Sequence, residues 1–353
     1  MSGEPLLIRA DASAEIGVGH VMRCIALAQA WQTRGGRVIF ALAQGAHELE
    51  ERIRSEGAEV VPIHAQPGSP EDAAWTAGMY SKFERTWIVL DGYHFPPSYY
   101  AEIKREKHRL LVMDDSETRQ SSPCDILVNS DPHVNDDLYI DRDLHTHYLL
   151  GPKYALLRRE FLQSRRDKSD VAKTAKRVLI TLGGGDGENV TLQVVDALQE
   201  IKDVRLELTV VVGASNPNKM SLQAAVERSR HKTTLLSNVR NMPDLMNKSD
   251  LAITAGGGTC YELALMKVPM VLITTARNHE QAVKAFDSAG AGFTVGWFNS
   301  LTSDSLATSV QTVIGDQKLR SELQTNASRM VDGKGAERVV EVMRQIPVGV
   351  AKN

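Results

Sequence analysis

Short apolar runs alternate with amphipathic stretches along nearly the whole chain, as strands and helices do when they are taken in turn. The first run, Leu6-Leu7-Ile8, leads into a loop with Asp11, Ser13, Gly17, Gly19 and His20. A helix follows whose apolar face is Val21, Ile25, Leu27, Ala28 and Trp31. Further strands are expected at Arg37–Leu42, Val60–Ile63, Trp87–Leu90, Arg109–Met113 and Cys124–Val128. Helices are expected between them at Glu48–Glu56, Glu71–Phe83 and Ser98–Glu106. Trp87–Leu90 is apolar throughout, as a strand covered on both faces of a parallel sheet would be.

The segment Ser164–Lys176 (SRRDKSDVAKTAK) is charged and poor in large apolar residues, and it reads as a linker. The alternation then restarts, with strands at Arg177–Leu182, Leu206–Val212, Thr233–Leu236, Leu251–Thr254 and Pro269–Ile273. Helices interleave at Asn189–Glu200, Lys219–Ser229, Met242–Lys248, Cys260–Met266 and Asn278–Ala289, and three more close the chain. Each half therefore predicts an α/β domain with a doubly wound parallel sheet. The expected division is an N-terminal domain at 1–163, the linker at 164–176, a C-terminal domain at 177–345 and a tail at 346–353. The last helices are free to pack back on the first domain.

Composition changes this picture little. At 353 residues the chain is too long for one ordinary core, and 42% hydrophobic with 24% charged residues is the balance of a globular protein. A net charge of −3 gives no ground for a nucleic-acid partner or membrane insertion. The N-terminus MSGEPLLIRAD has no signal-peptide pattern, so a cytoplasmic protein is expected. A monomer is compatible with the sequence, which does not fix the oligomeric state. Cys24, Cys124 and Cys260 lie far apart beside apolar residues and read as buried thiols. No metal-ligand spacing stands out, so neither a metal nor a cofactor is implied.

The residues with chemistry gather after strand C-termini, namely Asp11, Asp91, Tyr93, Asp114 and Asn129, on the edge where open α/β sheets bind ligands. Gly17-x-Gly19-His20 lacks the third glycine of a dinucleotide fingerprint and the lysine of a P-loop, which argues against a dehydrogenase. In their place stands a histidine at a helix N-terminus, where a neutral imidazole can act as a general base. Asp11, Asp91, Tyr93 and Asp115 could orient it, hold sugar hydroxyls, or cap helices. In the second half, Gly256-Gly257-Gly258-Thr259 between a strand and a helix is either a diphosphate cradle or a tight turn. Gly183 and Gly184, with Gly185, form a similar turn. Glu262 suits a ribose diol or simply the first turn of its helix. Asn278, Glu280 and Gln281 could touch base, sugar or phosphate, with helix capping by Asn278 as the alternative. His145 and His147 read as loop or surface residues.

Together these motifs resemble the GT-B architecture of nucleotide-sugar enzymes, two Rossmann-like domains facing a cleft. The nearer resemblance is to the UDP-2,4-diacetamido-2,4,6-trideoxy-β-L-altropyranose hydrolases of pseudaminic acid biosynthesis, which have relatives among spore-coat polysaccharide proteins. It is carried by RADASAEIGVGHVMRC at Arg9–Cys24, LDGYHF at Leu90–Phe95, GPKYALLRREF at Gly151–Phe161, TAGGGTCYELALMKVPMVLI with NHEQ within Thr254–Gln281, and VDGKGAERVVEVM at Val331–Met343. The resemblance implies release of UDP from its sugar, with His20 as the base and Tyr93 at the position of the family's tyrosine. From the residues themselves, Asp11 joins the candidate catalytic set and Gly17, Gly19 and Asp91 the candidate substrate contacts. It puts the UDP contacts at Gly256–Thr259, Glu262 and Asn278–Glu280. The loop at Ala65–Pro70 and the C-terminus are longer than in the shortest members. A GT-B transferase in surface polysaccharide synthesis shares every one of these motifs and differs in having an acceptor in place of water. A non-catalytic nucleotide-sugar binding protein would have no use for His20.

Overall fold

The computed structural model describes residues 5–12, 17–45, 47–79, 86–115, 123–134, 139, 143–165, 171–183, 186–214 and 216–346. The chain divides into two compact units, Met1–Arg159 with Gly333–Asn353, and Glu160–Asp332.

In the first unit seven strands form one parallel sheet: β1 (Pro5–Ala10), β2 (Arg37–Leu42), β3 (Glu59–Pro62), β4 (Trp87–Asp91), β5 (Arg109–Met113), β6 (Ile126–Asn129) and β7 (His147–Leu150). Their order is β3-β2-β1-β4-β5-β6-β7. Helices α1 (Gly19–Thr33), α2 (His47–Ser55), α3 (Pro70–Gly78) and α4 (Pro97–Arg105) connect them. Successive strand residues face opposite sides of a sheet, so each central strand feeds two cores. Leu6, Ile8, Phe40, Val89 and Leu111 pack with Ile25 and Leu27 of α1, and with Val339 and Met343 of the chain's last helix, Gly335–Gln345. Leu7, Ile39, Ile88, Leu90 and Val112 pack on the other side with Tyr99, Tyr100 and Ile103 of α4. The return of the last helix to α1 explains why residues 333–353 group with the first unit rather than with the sheet that precedes them.

The chain passes into the second unit within α5 (Arg159–Ser164), a helix at the edge of the expected linker that was not expected from the sequence. Its strands are β8 (Arg177–Thr181), β9 (Glu207–Val212), β10 (Lys232–Ser237), β11 (Leu251–Ala255), β12 (Met270–Thr274) and β13 (Phe293–Trp297). All pairings are parallel, in the order β10-β9-β8-β11-β12-β13. Helices α6 (Val190–Leu198), α7 (Lys219–Arg228), α8 (Met242–Lys248), α9 (Thr259–Leu265), α10 (Arg277–Ser288), α11 (Ser303–Gly315) and α12 (Gln317–Met330) complete it, and Gly335–Gln345 is α13. Strands β7 and β13 were not expected from the sequence. Both are edge strands paired on one side only, and neither carries a fully apolar run.

In each sheet the chain reverses direction of winding beside the first strand, between β1 and β4 and again between β8 and β11. Connections leave to opposite faces there, which opens a crevice at the strand C-termini.

Candidate active site

At the first switch point Ala10, Asp91 and Met113 stand abreast on β1, β4 and β5. The residues that follow them, and the start of α1, form one polar cluster. Gly17 has φ +75°, a left-handed conformation that turns the chain into α1 and that a residue with a side chain adopts only with strain. Gly19 is the first residue of α1, with open space where a side chain would stand. His20 is the second, 7% exposed, and its Nδ1 lies 2.5 Å from Oδ1 of the buried Asp91. Arg23, one turn further along the same helix face, donates from Nε to Asp91 Oδ2 and from Nη2 to Asp91 Oδ1, both at 2.6 Å. Arg23 Nη2 is also 3.1 Å from His20 Nδ1. Both nitrogens converge on one carboxylate oxygen, so Nδ1 must carry its proton and donate. That tautomer leaves the lone pair on Nε2, to which no described residue donates.

Burial by itself would push the Asp91 carboxyl up. The charge of Arg23, its hydrogen bonds and the contact with His20 outweigh burial, and the carboxyl ends well below the usual range. Burial likewise pulls Arg23 down, but Asp91 and Asp115 hold its guanidinium charged far beyond the ordinary value. The Cys24 thiol is pushed well up by burial and by Asp91, to which it donates at 3.3 Å, so it is an inert donor rather than a nucleophile. Tyr93 is 57% exposed; its ring meets His20 edge-on at 5.0 Å, and its hydroxyl donates to Asp115 Oδ2 at 3.0 Å. Arg23 Nη1 reaches the same oxygen at 3.2 Å.

Asp11 belongs to a different network from His20. It is buried, Oδ1 accepts from the backbone N–H of Ala43 (2.8 Å) and Gln44 (2.9 Å), and Oδ2 lies 2.7 Å from Arg9 Nη1 and 3.2 Å from His94 Nε2. Arg9, fully buried, grips Asp72 with two further hydrogen bonds, and Asp72 also accepts from Tyr99 and the N–H of Gly68. Asp11 thus ties the β2 exit to β1, and among the described residues Asp91 is the carboxylate on His20. Arg23 and His94 were not anticipated. The spacing of three residues between His20 and Arg23 on one helix was the available signal; for His94 only its place after β4 pointed to it.

At the second switch point the turn Gly256–Gly258 opens α9, whose N-terminus has no side-chain cap. A Cβ on Gly256 would sit 2.6 Å from Val283 Cγ2 and 2.8 Å from the His279 carbonyl, so the absence of a side chain lets the first turn of α10 lie against the loop. Thr259 and Glu262 fall in the first turn of α9, both half-buried. Asn278 is exposed inside the first turn of α10 and does not cap it, since the N-cap is Ala276. Glu280 pairs with Lys284 at 2.7 Å, and Gln281 is half-buried. Gly183 is exposed after β8, whereas Gly184 lies outside the described residues. The adjacent α6 already has its anion, because Asp186 accepts from the N–H groups of Val190 (2.8 Å) and Thr191 (2.9 Å). The start of α6 is thereby taken up by its own carboxylate.

Residues 178–342 match the glycosyltransferase family 28 C-terminal domain. MurG of Acinetobacter baumannii superposes over 97% of this chain and 99% of its own with a TM-score of 0.67, at 15% identity. The architecture is GT-B. Among sequence relatives, the spore coat polysaccharide biosynthesis protein SpsG of Bacillus subtilis is 23% identical over 96% of this chain and 97% of its own. The UDP-2,4-diacetamido-2,4,6-trideoxy-β-L-altropyranose hydrolase of Campylobacter jejuni is 25% identical over 78% of this chain and 93% of its own. An uncharacterized protein of Methanocaldococcus jannaschii, MJ1062, is 25% identical over 76% of this chain, which spans 55% of that longer protein. These likenesses support a GT-B protein related to family 28. Among the described residues, no cluster of His, Cys, Asp and Glu is arranged to hold a metal ion, and no helix is long and apolar enough to cross a membrane.

Proposed function

We propose that this GT-B protein is a UDP-sugar hydrolase that releases UDP from UDP-2,4-diacetamido-2,4,6-trideoxy-β-L-altropyranose or a close relative of it. The observation that carries the reading is the His20–Asp91 pair: Nδ1 lies 2.5 Å from the carboxylate, which leaves Nε2 as the ring nitrogen to take a proton. A transferase of the same architecture needs a base too, so the choice of water over an acceptor is supported separately, by the C. jejuni hydrolase that aligns over 93% of its own length. The broader statement, an enzyme acting on a UDP-sugar in surface sugar synthesis, is supported by that relative, by SpsG and by the family 28 match.

In this reading the second unit holds UDP. The diphosphate takes the Gly256–Thr259 turn, Glu262 accepts from the ribose hydroxyls, and Asn278, Glu280 and Gln281 contact the remainder, with Gly183 at the periphery. The first unit supplies the base. His20 Nε2 removes a proton from water, the water oxygen bonds to the anomeric carbon, and the bond from that carbon to the diphosphate oxygen breaks with inversion. Asp91 stabilises the imidazolium that forms, and Tyr93, held by Asp115, lies beside the attacking water. Gly17 and Gly19 leave room for the sugar. The leaving diphosphate is stabilised by backbone N–H groups fixed before the reaction.

The test is incubation with the UDP-sugar in the absence of any acceptor alcohol. Stoichiometric release of UDP and free sugar supports hydrolysis. Release that begins only when an acceptor is added indicates a transferase, and binding without release in either case indicates a non-catalytic protein.

A further inference from the structure

Among the described residues, His20 is faced by a small set of charged and titratable groups. Asp91 comes from β4, Arg23 and the Cys24 thiol from α1, Tyr93 from the loop after β4, and Asp115 from the end of β5, joined to the others through Arg23 and Tyr93. Within this set, one guanidinium against two carboxylates leaves a single negative charge while the imidazole is neutral, and none once it is protonated. An unopposed carboxylate 2.5 Å from a histidine would favour the imidazolium, and a histidine that already holds its second proton cannot act as a base. Arg23 opposes this from the same carboxylate. Its Nη2 shares Oδ1 with His20 Nδ1, its Nε takes Oδ2, and only 26% of its side chain is exposed, so water screens its charge incompletely.

We propose that Arg23 is a positioning residue that keeps His20 in the neutral, base-competent state, by balancing the charge of Asp91 and fixing its carboxylate with two hydrogen bonds. Asp115, bound to the far side of the guanidinium, acts in the opposite sense and moderates that effect. The inference deepens the hydrolase reading and rests on His20 as the base.

The imidazole nitrogens can be followed by NMR in the full-length protein labelled with 15N-histidine, the signal of His20 being the one lost in His20→Gln. Arg23→Gln is expected to raise the midpoint of the His20 titration by about one pH unit or more. Arg23→Lys, which keeps the charge but loses the planar fork, should bring the midpoint back towards that of the parent. Asp115→Asn should lower it. In kinetics, the acidic limb of kcat/KM should move to higher pH in Arg23→Gln and to lower pH in Asp115→Asn. An unmoved midpoint in Arg23→Gln, or a downward one, overturns the proposal. Should Arg23→Gln fail to fold, Asp115→Asn decides, because Asp115 is partly exposed: a lowered midpoint supports the proposal and an unmoved one overturns it. The NMR readout is independent of turnover. Midpoints that shift as stated in a protein that releases no UDP uphold the role of Arg23 and reject the hydrolase.

Discussion

His20 and Asp91, 71 residues apart in sequence, meet at 2.5 Å because β1 and β4 are neighbours where the strand order reverses. The carboxylate sets the ring's tautomer and orientation, and it compensates the charge that forms when Nε2 takes a proton. Asp91→Asn preserves the shape but offers an amide that can donate to Nδ1, which moves the ring proton to Nε2. Turnover should fall by about 10³- to 10⁴-fold with KM little changed, as read from the initial rate of UDP release.

Removing the ring itself separates chemistry from binding. His20→Ala is expected to lose turnover by orders of magnitude while UDP binds to the second unit with near-parental affinity in calorimetry. Weakened UDP binding in that variant would make His20 a binding residue instead.

Acid sensitivity follows from the buried carboxylates. Asp91 and Asp11 are both held below their ordinary value of 3.8 in the folded chain. Their contribution to stability is complete above that value and is lost as the pH falls through the folded-state value. Thermal melts between about pH 2 and pH 5 should show the parent losing stability at the acid end, and Asp91→Asn should lose less across the same range despite melting lower at pH 5.

Arg9 is buried between Asp11 and Asp72, and its guanidinium cannot be removed without stranding both carboxylates. Arg9→Met should cost about 3–5 kcal/mol in urea unfolding of the first unit. Adding Asp72→Leu to the same chain should recover part of that loss, since an apolar pair leaves fewer buried charges unopposed.

Gly256 and Gly258 make a paired test of the second unit. A methyl on Gly256 collides with Val283 and the His279 carbonyl, whereas one on Gly258 meets nothing within 4 Å. Gly256→Ala should therefore cost about 1–3 kcal/mol and weaken UDP binding by displacing the start of α10. Gly258→Ala should leave the melting temperature nearly unchanged.

Much of this could be read from the residues in order. Arg37–Leu42, Arg109–Met113 and Met242–Lys248 form elements with the bounds their patterns indicate, because interior strands and amphipathic helices state their burial in sequence. His147–Leu150 and Phe293–Trp297 did not, since an edge strand gains from one neighbour and needs no continuous apolar run. At the site, the positions of His20, Asp91 and Tyr93 were legible from strand ends and a glycine turn. The division of labour between Asp11 and Asp91 was not, because it depends on Arg9 reaching one carboxylate and Arg23 the other. Both arginines look like ordinary charged residues until the sheet is assembled.

The measurement that bears most directly on water activated by His20 is mass spectrometry of the UDP released in ¹⁸O-labelled water without an acceptor. Attack at the anomeric carbon breaks the carbon–oxygen bond, so the UDP should appear unlabelled and at a rate that collapses in His20→Ala. Label in the terminal phosphate of UDP, or no release until an acceptor alcohol is supplied, would contradict it.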